Sequence, residues 1–143
     1  MADYAGDVSA TDAWQAIQDD ADAVLIDVRT QAEWAFVGMP DLGGIGKQLL
    51  CVEWQQFPGG QPNPAFTSQL EAQLAGLNAN RDTELFFICR SGQRSLHSAE
   101  ALAAAGYRGC HNVAGGFEGP LDSEGHRGLV AGWKAAGLPW VQR

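Results

Sequence analysis

Three short apolar runs of strand-forming residues and a fourth predicted strand alternate along this chain with segments of helical periodicity. The apolar runs occupy residues 23–26, 49–52 and 85–88, and the fourth strand is predicted near 110–113. A run that is apolar at every position is typical of a strand covered on both faces, as in a parallel sheet. Helical spacing between the runs predicts helices at 9–18, just after Thr30, at 63–76 and at about 94–105. The alternation predicts an α/β domain with a mainly parallel sheet.

Several predicted helices carry start and stop signals. Ser9 is the predicted cap of the first helix, and Thr30 caps the second, with Glu33 completing a capping box and Gly38 ending the helix. The fourth helix is predicted to end at Gly106. The inward sides of the third and fourth helices are predicted to be formed by Phe66, Leu70, Leu74 and Leu77, and by Leu96, Ala99, Leu102 and Ala103. In the Gly-rich tail that begins at 115, we expect one brief helix at 133–136.

Length and charge restrict the class of protein. The 143 residues are about one domain's worth, so we expect residues 1–143 to form a single domain. No apolar run approaches the ~18 residues of a membrane span. The acidic start of the chain lacks the features of a secretory signal, so a cytoplasmic location without a membrane partner is expected. The net charge of −8 argues against nucleic-acid binding, which needs clustered Lys and Arg.

The three cysteines form an odd set without a close pair, which indicates reduced thiols rather than a disulfide framework. No Cys-x-x-Cys occurs and the three histidines are far apart, so no metal is expected. Cys51 lies within an apolar run and Cys110 at the start of a predicted strand, and both are interpreted as buried structural residues. Either of them is a resolving thiol only if it lies close to Cys89.

Cys89 lies in a different setting. Residues 89–95 join a predicted strand to a helix, at the carboxyl end of the sheet where open α/β folds bind ligands. Gly92 and its small polar neighbours allow backbone N–H groups to converge, and the next helix adds its positive end. Arg90 and Arg94 add positive charge to a stretch, 85–98, that contains no acid. These features favour a thiolate, the nucleophilic form of cysteine.

Three blocks of this sequence resemble the rhodanese family. They are Asp27-Val28-Arg29 with Glu33-Trp34, then residues 89–95, then the Asn-Val-Ala-Gly-Gly of 112–116, in the family's order and spacing. The resemblance covers about residues 8–120 and leaves a C-terminal extension. It implies a rhodanese-like α/β fold, with a parallel sheet of about five strands flanked by helices. Two departures are Gly38-Met39-Pro40 in place of the usual turn, and Ser91 where thiosulfate-specialised relatives often have a basic residue.

The resemblance also implies a thiosulfate sulfurtransferase-like activity. Cys89 would receive sulfane sulfur as a persulfide from a small anionic donor such as thiosulfate, and pass it to cyanide or a thiol acceptor without a cofactor. The implied substrate-binding positions are Arg90, Ser91, Gly92, Gln93, Arg94 and Ser95. Asp27, Arg29 and Glu33 are implied to support the loop structurally.

Three other functions stay open at this point. A persulfide carrier would hand its sulfur to a dedicated protein partner. A phosphatase or arsenate reductase on the same scaffold also uses a loop cysteine and arginine, but it separates them by five residues, whereas four lie between Cys89 and Arg94. A noncatalytic binding module commonly lacks the cysteine.

Two further sets of residues have two interpretations each. His126 and Arg127 lie either near the mouth of the site or, as we favour, in a solvated loop. Trp54, Trp133 and Trp140 either cover the pocket or, as we favour, belong to the core.

Overall fold

The protein folds around a five-stranded sheet, seen in a computed structural model that describes residues 4–56 and 59–142. The helices are α1 (Ala10–Asp19), α2 (Gln31–Phe36), α3 (Phe66–Gly76) and α4 (Gln93–Ala104). The strands are β1 (Gly6–Val8), β2 (Val24–Asp27), β3 (Met39–Pro40), β4 (Leu50–Cys51), β5 (Gln55–Gln56), β6 (Gln61–Pro62), β7 (Glu84–Ile88), β8 (Gly109–Val113) and β9 (Trp140–Val141). No helix in the described ranges is long and apolar enough to cross a membrane.

The central sheet has the order β1-β8-β7-β2-β4, and all of its neighbouring strands are parallel. The core lies on both faces. One apolar cluster packs α3 and α4 against the sheet, and the other packs α1 and the C-terminal segment against the opposite face. The predicted α/β class and the implied five-stranded parallel sheet are confirmed. Strand β7 lies in the middle, so the residue that follows it, Cys89, emerges at the centre of the sheet edge.

The helix start signals form the predicted contacts. The Ser9 side chain accepts from the Asp12 amide and begins α1. Thr30 and Glu33 form both bonds of the capping box at the start of α2. The third helix begins at Phe66, three residues later than predicted, because the Asn63 side chain bonds to the Ala65 amide in a turn before the helix.

Three sequence expectations were wrong in detail. Leu77 follows the end of α3 and is 40% exposed rather than inward, and Leu96 is only half-buried. Residues 133–136 form a single turn instead of a helix, because the next residue, Gly137, has a positive φ of 73° and Pro139 follows it. Sequence analysis also missed β1, an edge strand that lacks an apolar run.

The tryptophans have separate places. Trp133 is fully buried in the core cluster beside α1, where its ring lies edge-on to Trp14. Trp54 packs edge-on against Phe66, with ring centroids 4.9 Å apart. Trp140 is 42% exposed and lies in β9, which pairs with β3. The core interpretation is therefore confirmed for Trp133.

The C-terminal segment packs beneath the loop that follows β7. Phe117 is fully buried, and its amide donates to the carbonyl of Cys89 at 2.8 Å. A Cβ placed on Gly116 would lie 2.5 Å from that carbonyl oxygen and 2.6 Å from the Arg90 carbonyl. Only glycine allows the two backbones to approach this closely.

Gly116→Ala is therefore expected to destabilise the fold by about 2–5 kcal/mol, because backbone strain and overpacking add. Gly125→Ala is the matched control. Gly125 also has a positive φ of 80°, but its added Cβ would meet no atom within 4 Å, so about 1–2 kcal/mol of strain is expected there. Urea unfolding of both variants gives the comparison, and equal losses would show that crowding beneath the loop is not significant.

Candidate active site

The sulfur of Cys89 lies in a polar setting although the residue is only 1% exposed. The Gly92 amide donates to Sγ at 3.1 Å, and Ser95 Oγ lies 3.2 Å from it. Gly92 lies at the end of the turn that joins β7 to α4, and Ser95 lies in the first turn of α4. Gly92 has a φ of 113°, which lets this turn bring its amide back over the sulfur. The site therefore surrounds the sulfur with groups from its own loop.

The loop carbonyls are tied to the segment behind it. The Cys89 carbonyl accepts from Phe117, and the Arg90 carbonyl accepts from Glu118 and Gly119 at 3.0 and 3.1 Å. On the opposite side of the loop, the Gly92 amide contacts the sulfur, and α4, a helix of 12 residues, begins at Gln93. Such an arrangement favours negative charge near the sulfur.

The two loop arginines differ. Arg94 donates to both carboxylate oxygens of Glu33, at 2.6 and 2.9 Å, and this bonding raises the pKa of Arg94. Arg90 is exposed, and within the described residues it makes no salt bridge. The positive charge of Arg94 is thus compensated by a carboxylate, whereas that of Arg90 remains available.

The supporting residues form two ion pairs. Asp27 and Arg29 are both fully buried and joined at 2.7 Å, and Arg29 also donates to the Gly38 carbonyl at 2.7 Å. The Arg29 guanidinium lies 4.3 Å from the centre of the Phe117 ring. The Phe117 amide in turn donates to the Cys89 carbonyl. Through Arg29 and Phe117, the buried ion pair therefore connects the end of α2 to the loop. Glu33 contacts the loop directly through Arg94.

The remaining predicted loop residues lie in different surroundings. Ser91 and Gly92 are half-buried, whereas Gln93 is exposed and its side chain lies 3.2 Å from a ring nitrogen of His97. Ser95 is fully buried, and its hydroxyl donates to Asn112 Oδ1 at 2.6 Å. Sequence reasoning did not assign a role to Asn112, although the residue opens the third block of the family resemblance.

A cavity of about 390 Å³ lies next to the ion pair of Glu33 and Arg94. Its lining includes Phe36, Val37, Gln55 and Gln56, and Phe36 is 79% exposed. The cavity borders the loop without including Cys89 in its lining. In the described part of the chain, no group of three His, Cys, Asp or Glu side chains is placed to hold a metal ion.

The other two cysteines lie too far from Cys89 to form a disulfide with it. Cys51 pairs with Asp27, which pairs with Ile88, so Cys51 is two strand spacings, or about 10 Å, from β7. Cys110 pairs with Leu85, four residues or about 13 Å before Cys89. A disulfide needs Cα atoms within about 7 Å. Burial raises the pKa of both thiols to about 12, so neither acts as a resolving thiol here.

His126 and Arg127 belong to the turn after Glu118. His126 is exposed, and its amide donates to Asp122. Arg127 donates to the Gly119 carbonyl at 2.8 Å. The solvated-loop interpretation holds for His126, whereas Arg127 braces the segment behind the loop that follows β7.

The sequence of this chain is similar to those of a known family and of several known proteins. A family model described as the STR4 middle domain matches residues 5–143, including the C-terminal segment. The uncharacterized protein RP600 of Rickettsia prowazekii is 36% identical over 93% of this chain and 94% of its own length. A sulfurtransferase of Allochromatium vinosum is 25% identical over 89% of this chain and 86% of its own length. The chloroplastic rhodanese-like domain-containing protein 4 of Arabidopsis thaliana is 26% identical over 94% of this chain, which matches 25% of that protein.

Two solved structures have similar folds. The crystal structure of Rv0390 from M. tuberculosis has a TM-score of 0.87 and 45% identity, and the match covers 98% of this chain and 99% of that one. The polysulfide-sulfur transferase homodimer from Wolinella succinogenes has a TM-score of 0.59 and 22% identity, over 96% of this chain and 78% of that one. The fold is therefore rhodanese-like.

Replacing Glu33 by Gln should make the fold less sensitive to acid. Burial raises the pKa of Glu33, but the hydrogen bonds and charge of Arg94 outweigh it and hold the pKa below its ordinary value of 4.5. The unfolded chain then takes up the proton first, so the stabilisation is complete above that value and is lost as pH falls through the lowered pKa. Glu33→Gln should lower the free energy of unfolding by about 1–3 kcal/mol at pH 7 and by less at pH 4.

The control is Glu124→Gln, which changes an exposed carboxylate. Unfolding free energies of both variants and of the native protein are to be measured at the two pH values. If Glu33→Gln costs the same at pH 7 and pH 4, the ion pair with Arg94 does not supply the acid-sensitive stability.

Proposed function

We propose that this chain, which belongs to the STR4 middle domain family, is a sulfurtransferase that carries sulfane sulfur as a persulfide on Cys89. The main support is the placement of the Cys89 sulfur: it follows the central strand, accepts the Gly92 amide at 3.1 Å and lies beside the N-terminus of α4. Those groups stabilise an anionic sulfur. A relative named as a sulfurtransferase adds further support.

The proposed reaction has two displacement steps. The Cys89 thiolate attacks the outer sulfur of a donor such as thiosulfate, the donor's sulfur–sulfur bond breaks, and its electron pair leaves with sulfite. An acceptor then attacks the outer sulfur of the persulfide. Cyanide becomes thiocyanate, or a thiolate becomes a new persulfide, and Cys89 returns as a thiolate. Electrons balance in each step, so the chemistry needs no cofactor.

Arg90 is the residue we propose for attracting the anionic donor. It is exposed at the start of the loop, whereas Arg94 shares its charge with Glu33. Backbone amides of Ser91, Gly92 and Gln93 would hold the donor's oxygens or its terminal sulfur as charge develops. Arg94 then serves to position the loop, through an ion pair that reaches across to α2.

The acceptor in this proposal is cyanide or a thiol, and a thiol carried by a protein would make the chain a persulfide carrier. The cavity beside Phe36 and Arg94 offers an apolar surface next to the loop for an organic thiol. A cytoplasmic location remains the prediction from sequence. Phosphatase or arsenate reductase activity is less well supported, because the loop between Cys89 and Arg94 is one residue shorter than that chemistry uses.

Cys89→Ser should lower sulfur transfer from thiosulfate by at least about a hundredfold, since a serine hydroxyl is not an anion at neutral pH. The fold should persist, because the Gly92 amide and Ser95 already offer polar partners at this position. Cys110→Ser is the control. It places a hydroxyl in a fully buried site and should cost stability while leaving transfer intact.

The assay measures thiocyanate release with cyanide, together with nitrophenol release from a phosphate ester. Hydrolysis of the phosphate ester at an enzyme-like rate that depends on Cys89 would show that the protein is a phosphatase rather than a sulfurtransferase. Transfer retained in a folded Cys89→Ser protein would remove Cys89 from the mechanism.

A further inference from the structure

A chain of hydrogen-bonded side chains runs from the Cys89 sulfur to the edge strand β1. Ser95 Oγ lies 3.2 Å from Sγ and donates to Asn112 Oδ1 at 2.6 Å. Asn112 Nδ2 then donates to Asp7 Oδ1 at 3.1 Å. Ser95 is fully buried and Asn112 is 4% exposed, whereas Asp7 is exposed. The chain therefore connects the reactive sulfur with a surface carboxylate.

The carboxylate fixes the direction of every bond in this chain. The Asp7 oxygen can only accept, and it also accepts the Tyr4 hydroxyl at 3.0 Å. The amide of Asn112 must therefore turn its NH₂ group toward Asp7 and its oxygen toward Ser95. The Ser95 hydroxyl has one hydrogen, which it donates to Asn112 Oδ1 in this hydrogen bond. The Ser95 oxygen consequently presents a lone pair to the Cys89 sulfur.

A lone pair facing the sulfur suits a thiol, which donates its S–H, and opposes a thiolate. To stabilise a thiolate, Ser95 must turn its hydroxyl toward the sulfur and leave the buried Asn112 oxygen without a donor. The groups on other sides of the sulfur act in the opposite direction. They are the Gly92 amide, the end of α4, and the Arg94 guanidinium, which is compensated by Glu33.

We propose that Asn112, oriented by Asp7, is a positioning residue that holds Ser95 as a hydrogen-bond acceptor, so that resting Cys89 keeps its proton. The thiolate forms when Ser95 turns away from Asn112, and the proton of Cys89 passes to water or buffer. Asn112 neither gains nor loses a proton, so the chain directs hydrogen bonds and does not conduct protons. This inference rests on the proposed function, because it concerns the form of Cys89 that attacks a donor.

The test measures how alkylation of Cys89 by iodoacetamide depends on pH, with each cysteine read separately by peptide mass spectrometry. Burial raises the pKa of Cys51 and Cys110 to about 12, so these thiols stay largely unreactive below pH 10. Four proteins are compared: the native chain, Asp7→Asn, Ser95→Ala, and the double variant. In Asp7→Asn the new amide can donate or accept, so Asn112 can turn over and release the Ser95 proton to the sulfur.

Asp7→Asn should lower the alkylation midpoint by about 0.5–1 pH unit when Ser95 is present. On the Ser95→Ala background the shift should be less than half as large, because only the loss of a negative charge remains. Ser95→Ala alone should lower the midpoint by at most about 0.5 pH unit, and by less than Asp7→Asn does, because it removes the lone pair that favours the thiol but adds no donor to the thiolate. Asn112→Leu, which removes the competing acceptor, should also lower the midpoint only when Ser95 is present, and thermal unfolding checks that each variant is folded.

The proposal would be overturned if Asp7→Asn shifted the alkylation midpoint equally in the native chain and in Ser95→Ala. It would also be overturned if Asp7→Asn left the midpoint unchanged or raised it. A clear rise in Ser95→Ala alone would also overturn it, because Ser95 would then already donate to the thiolate. Alkylation needs no sulfur donor. Failure of native Cys89 to take up sulfur would therefore refute the proposed function, while the alkylation experiment would still test the role of Asn112.

Discussion

The site depends on three backbone amides that hold the carbonyls of Cys89 and Arg90 from behind. Phe117 donates to the first carbonyl, and Glu118 and Gly119 donate to the second. With these acceptors tied back, the Gly92 amide and the positive end of α4 face the Cys89 sulfur on the other side of the loop. The absence of a side chain at Gly116 is what allows the supporting segment to come close enough. The C-terminal part of the chain is thus a structural requirement of the loop.

The parallel sheet places different partners on the two sides of Cys89. On one side, β2 carries Asp27, and the buried pair that Asp27 forms with Arg29 neutralises both charges. On the other side, β8 carries the neutral amide of Asn112. Glu33 compensates Arg94 in the same way. Only Arg90 therefore gives the loop an unpaired positive charge within the described residues, and it does so in a chain whose net charge is −8.

The features that sequence could predict are those set by neighbouring residues. The apolar run ending at Ile88 indicated a covered strand, and Thr30 with Glu33 indicated the start of a helix. The position of Cys89 between strand and helix followed from the same reasoning. Contacts between distant segments could not be read in this way. Arg94 and Glu33 are 61 residues apart, and from its sequence position alone Arg94 could equally have bound an anion from solution.

The missed elements have related causes. Strand β1 has two polar or small residues in three and is held by pairing with β8, so its own pattern gave no signal. Residues 133–136 have helical spacing, but they form only one turn, because Gly137 takes a positive φ of 73° and Pro139 follows. Asn112 was visible within a family block, yet its bonds to Ser95 and Asp7 depend on two strands, β8 and β1, and one helix, α4, meeting at the same place.

The most direct test of the central claim is mass spectrometry of the native protein after incubation with thiosulfate, and separately with polysulfide. We expect an adduct of one sulfur atom on the peptide that contains Cys89, removed by cyanide and absent from the peptides that contain Cys51 and Cys110. A protein that stays unmodified with both donors, or that takes up sulfur only at the other cysteines, would contradict the central claim.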